Sequence, residues 1–129
     1  MLDTNIASDL LRNPHGRVYA RLEQHGAMTA CLSIVTAAEL RFGAVKRRAP
    51  QLLSRVETLL TKIAVLPFDV PCDAAYADLR TRLELAGTPI SANDLLIAAH
   101  ALMLQVTLVT HNTGEFGRVP GLAVEDWLE

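Results

Sequence analysis

The chain has 129 residues, of which 50% are hydrophobic and 5% aromatic, and it carries a formal charge of −2. That length suits one domain over residues 1–129 with an aliphatic core. No apolar run reaches the ~18 residues of a membrane span, and no basic region precedes an apolar signal core, so we expect a cytoplasmic protein without membrane contact. The charge alone does not indicate nucleic-acid binding, although a bound divalent cation would offset it.

The N-terminal region predicts a strand end followed directly by helices. Residues 1–2 end a strand with Asp3 at its carboxyl tip, and helices follow over residues 6–11 and 17–25. A buried strand is predicted over residues 28–32. Asp3 has two interpretations, a helix cap and a ligand-binding acid. Both can hold, because ligands of α/β folds bind where a strand tip feeds a helix N-terminus.

The next helix is predicted over residues 34–48 with Ser33 as its cap. Thr36, Glu39 and Gly43 follow at spacings of three and four and therefore share one face. A glutamate is usually an exposed surface residue. The apolar neighbours of Glu39, and its place just beyond a strand tip, favour a functional role.

The second half predicts helices over residues 51–63 and 71–86, separated by a strand at 64–68. The helix at 91–104 is apolar on almost every face after Asp94, so it should be buried at the centre of the domain. A strand at 107–109, a loop at 116–121 and a strand at 122–127 complete the chain.

Two titratable residues of the central helix have competing interpretations. Asp94 forms a capping box with Ser91 or serves a functional site. His100 lies six residues further, about 240° round the helix, and is predicted to be a core or interface residue. The lone cysteines, Cys31 and Cys72, are predicted to be small buried hydrophobes.

The alternation of strands and helices predicts an α/β fold with three α/β/α layers, in which helices cover both faces of a mainly parallel, short-stranded sheet. Polar residues gather after the strand ends, including Asp3, Glu39, Asp94 and residues 110–115. Three carboxylates in an apolar site repel one another, so they must protonate or bind cations. Oxygen ligands without cysteine favour Mg²⁺ or Mn²⁺ over zinc, and phosphodiester hydrolysis is the natural reaction. One or two ions fit this pattern equally.

Four motifs carry a family resemblance: LDTNI at the N-terminus, SIVTAAEL at 33–40, NDLLIAAHA at 93–101, and LVTHNTGEFGRVPGL followed by tryptophan. In this order they resemble the PIN-domain ribonucleases, specifically the VapC toxins of toxin-antitoxin pairs. The resemblance implies a cytoplasmic, Mg²⁺- or Mn²⁺-dependent endoribonuclease, usually a homodimer and inhibited by a VapB antitoxin. It also implies that Asp3, Glu39 and Asp94 bind the metal and that Asn5 and Thr110 steady these acids.

The sequence departs from the family pattern at two positions. Asn112 stands where many members have a fourth acid. Either Asn112 or the nearby Glu115 completes the catalytic set, or the site functions with three acids. Only two residues precede Asp3, so the first strand should be weak. Basic residues such as Arg12, Arg41 and Arg47 either form a solvated face or grip phosphates of the RNA, for which tRNA and other structured RNAs are candidates.

Other functions stay open at this stage. An aspartate-nucleophile phosphatase requires a second acid at the position of Asn5. A structure-selective DNA nuclease and a non-catalytic binding module of the same fold are further alternatives. For a dimer interface, the aliphatic helix 51–63 and its neighbours are the candidates.

Overall fold

The computed structural model describes all residues from 1 to 129. The longer helices are α1 (Thr4–Arg12), α2 (Arg17–His25), α3 (Ile34–Lys46), α4 (Pro50–Lys62), α5 (Cys72–Leu85) and α6 (Ala92–Leu104). A short helix, α7 (Thr113–Phe116), follows them. The strands are β1 (Cys31–Ser33), β2 (Ala64–Leu66), β3 (Leu108–Val109) and β4 (Val124–Glu125). No helix is long and apolar enough to cross a membrane.

The sheet is parallel throughout. β1 pairs with β2 and β3 pairs with β4, while Leu2 bridges the two halves through parallel contacts with Leu32 and Val109. The expected first strand is thus reduced to one residue, in keeping with the two-residue lead before Asp3. The order is therefore β2, β1, Leu2, β3, β4. Asp3 and the N-terminus of α3 both lie at the carboxyl ends of the parallel strands.

Hydrophobic residues fill both faces of the sheet. Leu2 and Val109 belong to a core with α1, α2, α3 and α4, whereas Met1 and Leu108 belong to a second core with α5 and α6. Neighbouring residues of a strand point to opposite faces, so each core covers one side. This arrangement confirms the predicted three-layer α/β/α fold.

The central helix is confirmed as α6, and most of its middle is buried. His100 is only 1% exposed, and its Nδ1 lies 2.8 Å from the Ser33 hydroxyl oxygen. It is a core residue, as predicted. Cys72 is buried as expected, whereas Cys31 is half-buried, and both are free thiols.

Two local predictions are wrong. The strand predicted over residues 28–32 begins later, at Cys31, because Ala27–Thr29 forms a 3₁₀ turn in which Met28 is fully exposed. Gly26, at φ 84°, ends α2, and the Thr29 hydroxyl donates to its carbonyl oxygen, which closes a turn in place of a strand. Phe116 does not start a loop but ends α7 in the core, fully buried.

Candidate functional site

Asp3 is the most buried of the predicted acids, with 3% of its surface exposed. As the N-cap of α1, it accepts a hydrogen bond from the Ile6 N–H at 2.9 Å. Burial raises its pKa above the ordinary value, and the nearby Glu39 adds to the rise, while contact with the Thr110 hydroxyl opposes it. The helix-cap interpretation of Asp3 is therefore confirmed, and the same carboxylate lies near Glu39.

Glu39 projects from α3 and is held from two sides. It accepts a hydrogen bond from the Thr4 hydroxyl and another from Asn93 Nδ2 at 3.1 Å. The Thr4 hydroxyl also lies 3.4 Å from that of buried Thr36, one turn before Glu39. Glu39 is half-buried, so it is not the fully exposed residue that its type favours.

Asp94 lies in the first turn of α6, and the Ser91 hydroxyl donates a hydrogen bond to it at 2.9 Å. Burial raises the pKa of Asp94 to about 6, and the negative charges of Glu115, Asp3 and Glu39 contribute. The predicted capping box is wrong in detail, because the Ser91 side chain caps no backbone N–H. The Ser91 hydroxyl instead donates its hydrogen bond to the Asp94 carboxylate.

Glu115 completes the acidic cluster from the other side of Asp94. It accepts hydrogen bonds from the Ser91 N–H at 2.6 Å and from Asn112 Nδ2 at 2.7 Å. Burial opposes ionisation, but these hydrogen bonds outweigh it and lower the pKa of Glu115. Asn112 caps α7, and its own N–H donates to the Thr110 hydroxyl at 2.9 Å.

Three of the predicted acids line one open pocket of about 460 Å³: Asp3, Glu39 and Asp94. Asn5 also lines it, with an exposed side chain, while only its backbone N–H interacts with Asp3. Glu115 and Asn112 lie beside the pocket, outside its lining.

No three acidic, histidine or cysteine side chains converge into a ready-made metal cage. Each carboxylate is instead engaged by its own hydrogen-bond donor: the Ile6 N–H for Asp3, the Thr4 hydroxyl for Glu39 and the Ser91 hydroxyl for Asp94.

Some side chains at the site carry roles that the sequence did not predict. Thr4, Ser91 and Asn93 each donate a hydrogen bond to an acid. For Asn93 the signal was its place beside Asp94 in the first turn of a buried helix. His111 contacts none of these acids and pairs with Asp126 at 2.9 Å.

Comparison with known proteins identifies the family. The PIN domain model matches residues 1–122. Ribonuclease VapC2 of Rickettsia felis is 38% identical, covering 98% of this chain and 96% of its own length. The tRNA(fMet)-specific endonuclease VapC of Salmonella typhimurium is 34% identical over the same shares.

A solved structure gives the same result. The fold matches that of VapBC2 from Rickettsia felis bound to a promoter DNA fragment with a TM-score of 0.91 and 37% identity, covering 98% of this chain and 97% of that one. Match length, identity and fold therefore agree: the chain belongs to the PIN-domain family, among the VapC ribonucleases.

Proposed function

We propose that this protein is a metal-dependent endoribonuclease toxin that hydrolyses RNA phosphodiester bonds and is inhibited by a VapB-type antitoxin. The observation that carries the proposal is the single pocket lined by Asp3, Glu39 and Asp94. The family provides the reaction class, and the acids provide the chemistry that suits it.

The donor set fits a hard divalent cation, Mg²⁺ or Mn²⁺. It offers carboxylate, amide and hydroxyl oxygens without a thiol. The raised pKa of Asp94 reflects buried charge that a cation would relieve. Asp3, Glu39 and Asp94 would hold the ion, which when bound supplies polarisation of the phosphodiester and neutralisation of the leaving oxygen.

The chain's own side chains hold these acids in orientation. Thr4 and Asn93 fix both oxygens of Glu39, and Ser91 fixes one oxygen of Asp94. Such hydrogen bonds reduce the reorganisation that metal and substrate binding would otherwise require. In the proposal Thr110 acts on Asp3 through its hydroxyl, and Asn5 acts through its backbone N–H.

For the fourth acidic position we assign Glu115 in preference to Asn112. Glu115 carries the charge and is the nearby acid with the largest effect on the pKa of Asp94. Asn112 holds Glu115 through its amide nitrogen and caps the helix that carries it. Asn112 therefore aligns the fourth acid.

Relatives support the substrate and the partner. One is named a tRNA(fMet)-specific endonuclease, and solved neighbours are complexes of VapB and VapC. We therefore propose that this protein cleaves a tRNA or another structured RNA in the cytoplasm and that it binds an antitoxin.

We also propose that the protein forms a homodimer. The α4 leucines, at positions 52, 53, 59 and 60, pack against the core, so this helix is a weaker candidate for the interface than expected. Its neighbour α3 exposes Phe42 and Val45, which become the candidates for the dimer contact.

The direct test removes single acids. Asp3→Ala and Asp94→Ala should each reduce Mg²⁺- or Mn²⁺-dependent cleavage of purified tRNA at least about a hundredfold, with an unchanged circular dichroism spectrum. Asp78→Ala, which removes an exposed acid of α5, is the matched control and should retain activity. Full activity of either site variant contradicts the proposal. Absence of Mg²⁺ and Mn²⁺ binding in calorimetry supports a non-catalytic module instead.

A cellular test addresses the toxin role. Expression of the chain alone should arrest growth, and co-expression of the cognate antitoxin should relieve the arrest. Growth arrest that persists in Asp94→Ala contradicts a catalytic origin of toxicity.

A further inference from the structure

A second pocket, of about 150 Å³, adjoins the acidic pocket and shares Thr4 and Glu39 with it. Its floor is aliphatic, formed by residues such as Leu40 and Leu52. Arg12, the last residue of α1, and Arg47, just beyond α3, also line it. The pocket therefore combines an apolar floor with two cations directly beside the acids.

The two arginines of this pocket are not engaged within the chain. Both are exposed, and neither side chain forms a hydrogen bond or an ion pair. Other arginines contact a carboxylate, a carbonyl oxygen or an aromatic ring: Arg17, Arg21, Arg41, Arg80, Arg82 and Arg118. Arg12 and Arg47 are thus available to an external anion, whereas Arg41, the third basic residue named as a possible phosphate contact, is paired with Glu57.

Gly43 lies on the wall of the same pocket, near the end of α3 and one turn after Glu39. A glycine inside a helix is less favourable than alanine. Its φ is not positive, and an added Cβ would meet no atom within 4 Å. Neither the backbone nor the packing of this chain requires glycine here, so the open space is available to a ligand.

We infer that Arg12, Arg47 and Gly43 form a subsite for the nucleotide next to the scissile phosphodiester of a single-stranded RNA segment. The inference rests on the proposed function. Guanidinium groups bind phosphate with charge-assisted hydrogen bonds, and the aliphatic floor accepts a sugar or base without reading its sequence. The acidic pocket repels an RNA backbone, and two adjacent cations offset that repulsion.

The test uses the full-length protein with two probes. Arg12→Ala and Arg47→Ala should each raise KM for purified tRNA about three- to tenfold and change kcat little. In the inactive Asp94→Asn background, a fluorescein-labelled 12-nucleotide RNA of mixed sequence reports binding. Each arginine variant should reduce the slope of log affinity against log salt concentration by about 0.7. Arg55→Ala, which removes an exposed arginine of α4 outside the pocket, is the control and should change neither quantity.

Substitution of Gly43 tests the space independently of charge. Gly43→Leu should raise KM at least about tenfold, because the side chain would fill the subsite. Gly43→Ala should raise Tm by about 2–4 °C, which checks that the fold accepts a side chain at this position.

Three outcomes would overturn the inference. Unchanged KM and salt slope in the arginine and Gly43→Leu variants, with RNA still cleaved, remove the subsite but leave the proposed function intact. If the same variants only weaken capture of the co-expressed antitoxin, the pocket is an antitoxin site and the RNA assignment is wrong. If the unsubstituted protein cleaves no RNA at all, the proposed function and the subsite fail together.

Discussion

Helix α6 carries two titratable side chains, Asp94 and His100, in two different environments. Burial disfavours the charged form of both, so it raises the pKa of Asp94 to about 6 and lowers the pKa of His100. The charged groups around Asp94 are other acids, so no positive charge balances its carboxylate. Around His100 the contacts are the Ser33 hydroxyl and the Phe68 ring, and the effect of burial on its pKa outweighs the opposing charge of Asp69.

The difference separates a cluster of like charges, for which we propose a bound cation, from a packed core position. The Ser33 hydroxyl oxygen lies 2.8 Å from His100 Nδ1 and also accepts a hydrogen bond from the Val35 N–H. The other ring nitrogen, Nε2, has no hydrogen-bond partner, although the Pro67 carbonyl lies near the ring. Burial of one unpaired ring nitrogen is tolerable, whereas several carboxylates together favour cation binding.

The largest expected effect comes from His100. His100→Ala should destabilise the fold by about 3 kcal/mol, since it empties a buried space and removes a hydrogen bond. Thermal unfolding should report a fall in Tm of roughly 10 °C. His111→Ala, which removes a histidine with 62% of its side chain exposed, should change Tm little. The proposed metal site predicts that Mn²⁺ raises Tm, and this increase should persist in His100→Ala. Its loss would mean that the two ends of α6 do not act independently.

A smaller effect is expected at Asp94. A pKa rise from 3.8 to about 6 corresponds to at most ~3 kcal/mol. Asp94 is half-exposed, so screening reduces this to about 1 kcal/mol. Asp94→Asn should therefore stabilise the metal-free protein by about 1 kcal/mol at pH 7.5, while abolishing the stabilisation by Mn²⁺.

The sign of the pH dependence follows from proton linkage. Between pH 3.8 and about 6 the folded state binds more protons at Asp94 than the unfolded state, so stability rises as pH falls through that window. The lowered pKa of His100 acts in the opposite direction, below its ordinary value of 6.5. Denaturant unfolding in EDTA should find the advantage of Asp94→Asn at pH 7.5 and none at pH 3.5. An advantage that is equal at both values would contradict the raised pKa.

The smallest effect concerns Ser91. Its hydroxyl lowers the pKa of Asp94, so Ser91→Ala should raise that pKa further. An NMR titration of the Asp94 carboxyl carbon in metal-free protein should detect the shift. The pKa of Glu115 should stay lowered, because the Ser91 backbone N–H remains. Asn93→Ala is the comparison. It removes one of the two hydrogen bonds to Glu39 and should leave the pKa of Asp94 unchanged.

The boundaries of the helices show where local sequence was sufficient. The caps Asp3 and Ser33 and the apolar run after Asp94 are local signals, and each was confirmed within a residue or two. The 3₁₀ turn at Ala27–Thr29 and the helix α7 were missed. Both depend on side-chain hydrogen bonds, from Thr29 and to Asn112, that compete with an equally apolar strand or loop pattern.

The sequence by itself determined the layered α/β fold, the three acids after strand ends and the core position of His100. These follow from periodicity and from residue chemistry along one element. Only the tertiary structure decided how Thr4 and Asn93 hold Glu39, that Glu115 lies beside Asp94, and that Arg12, Arg47 and Gly43 share a pocket. Each of these arrangements joins residues of different elements or loops, and periodicity along one element carries no information about the distance between two of them.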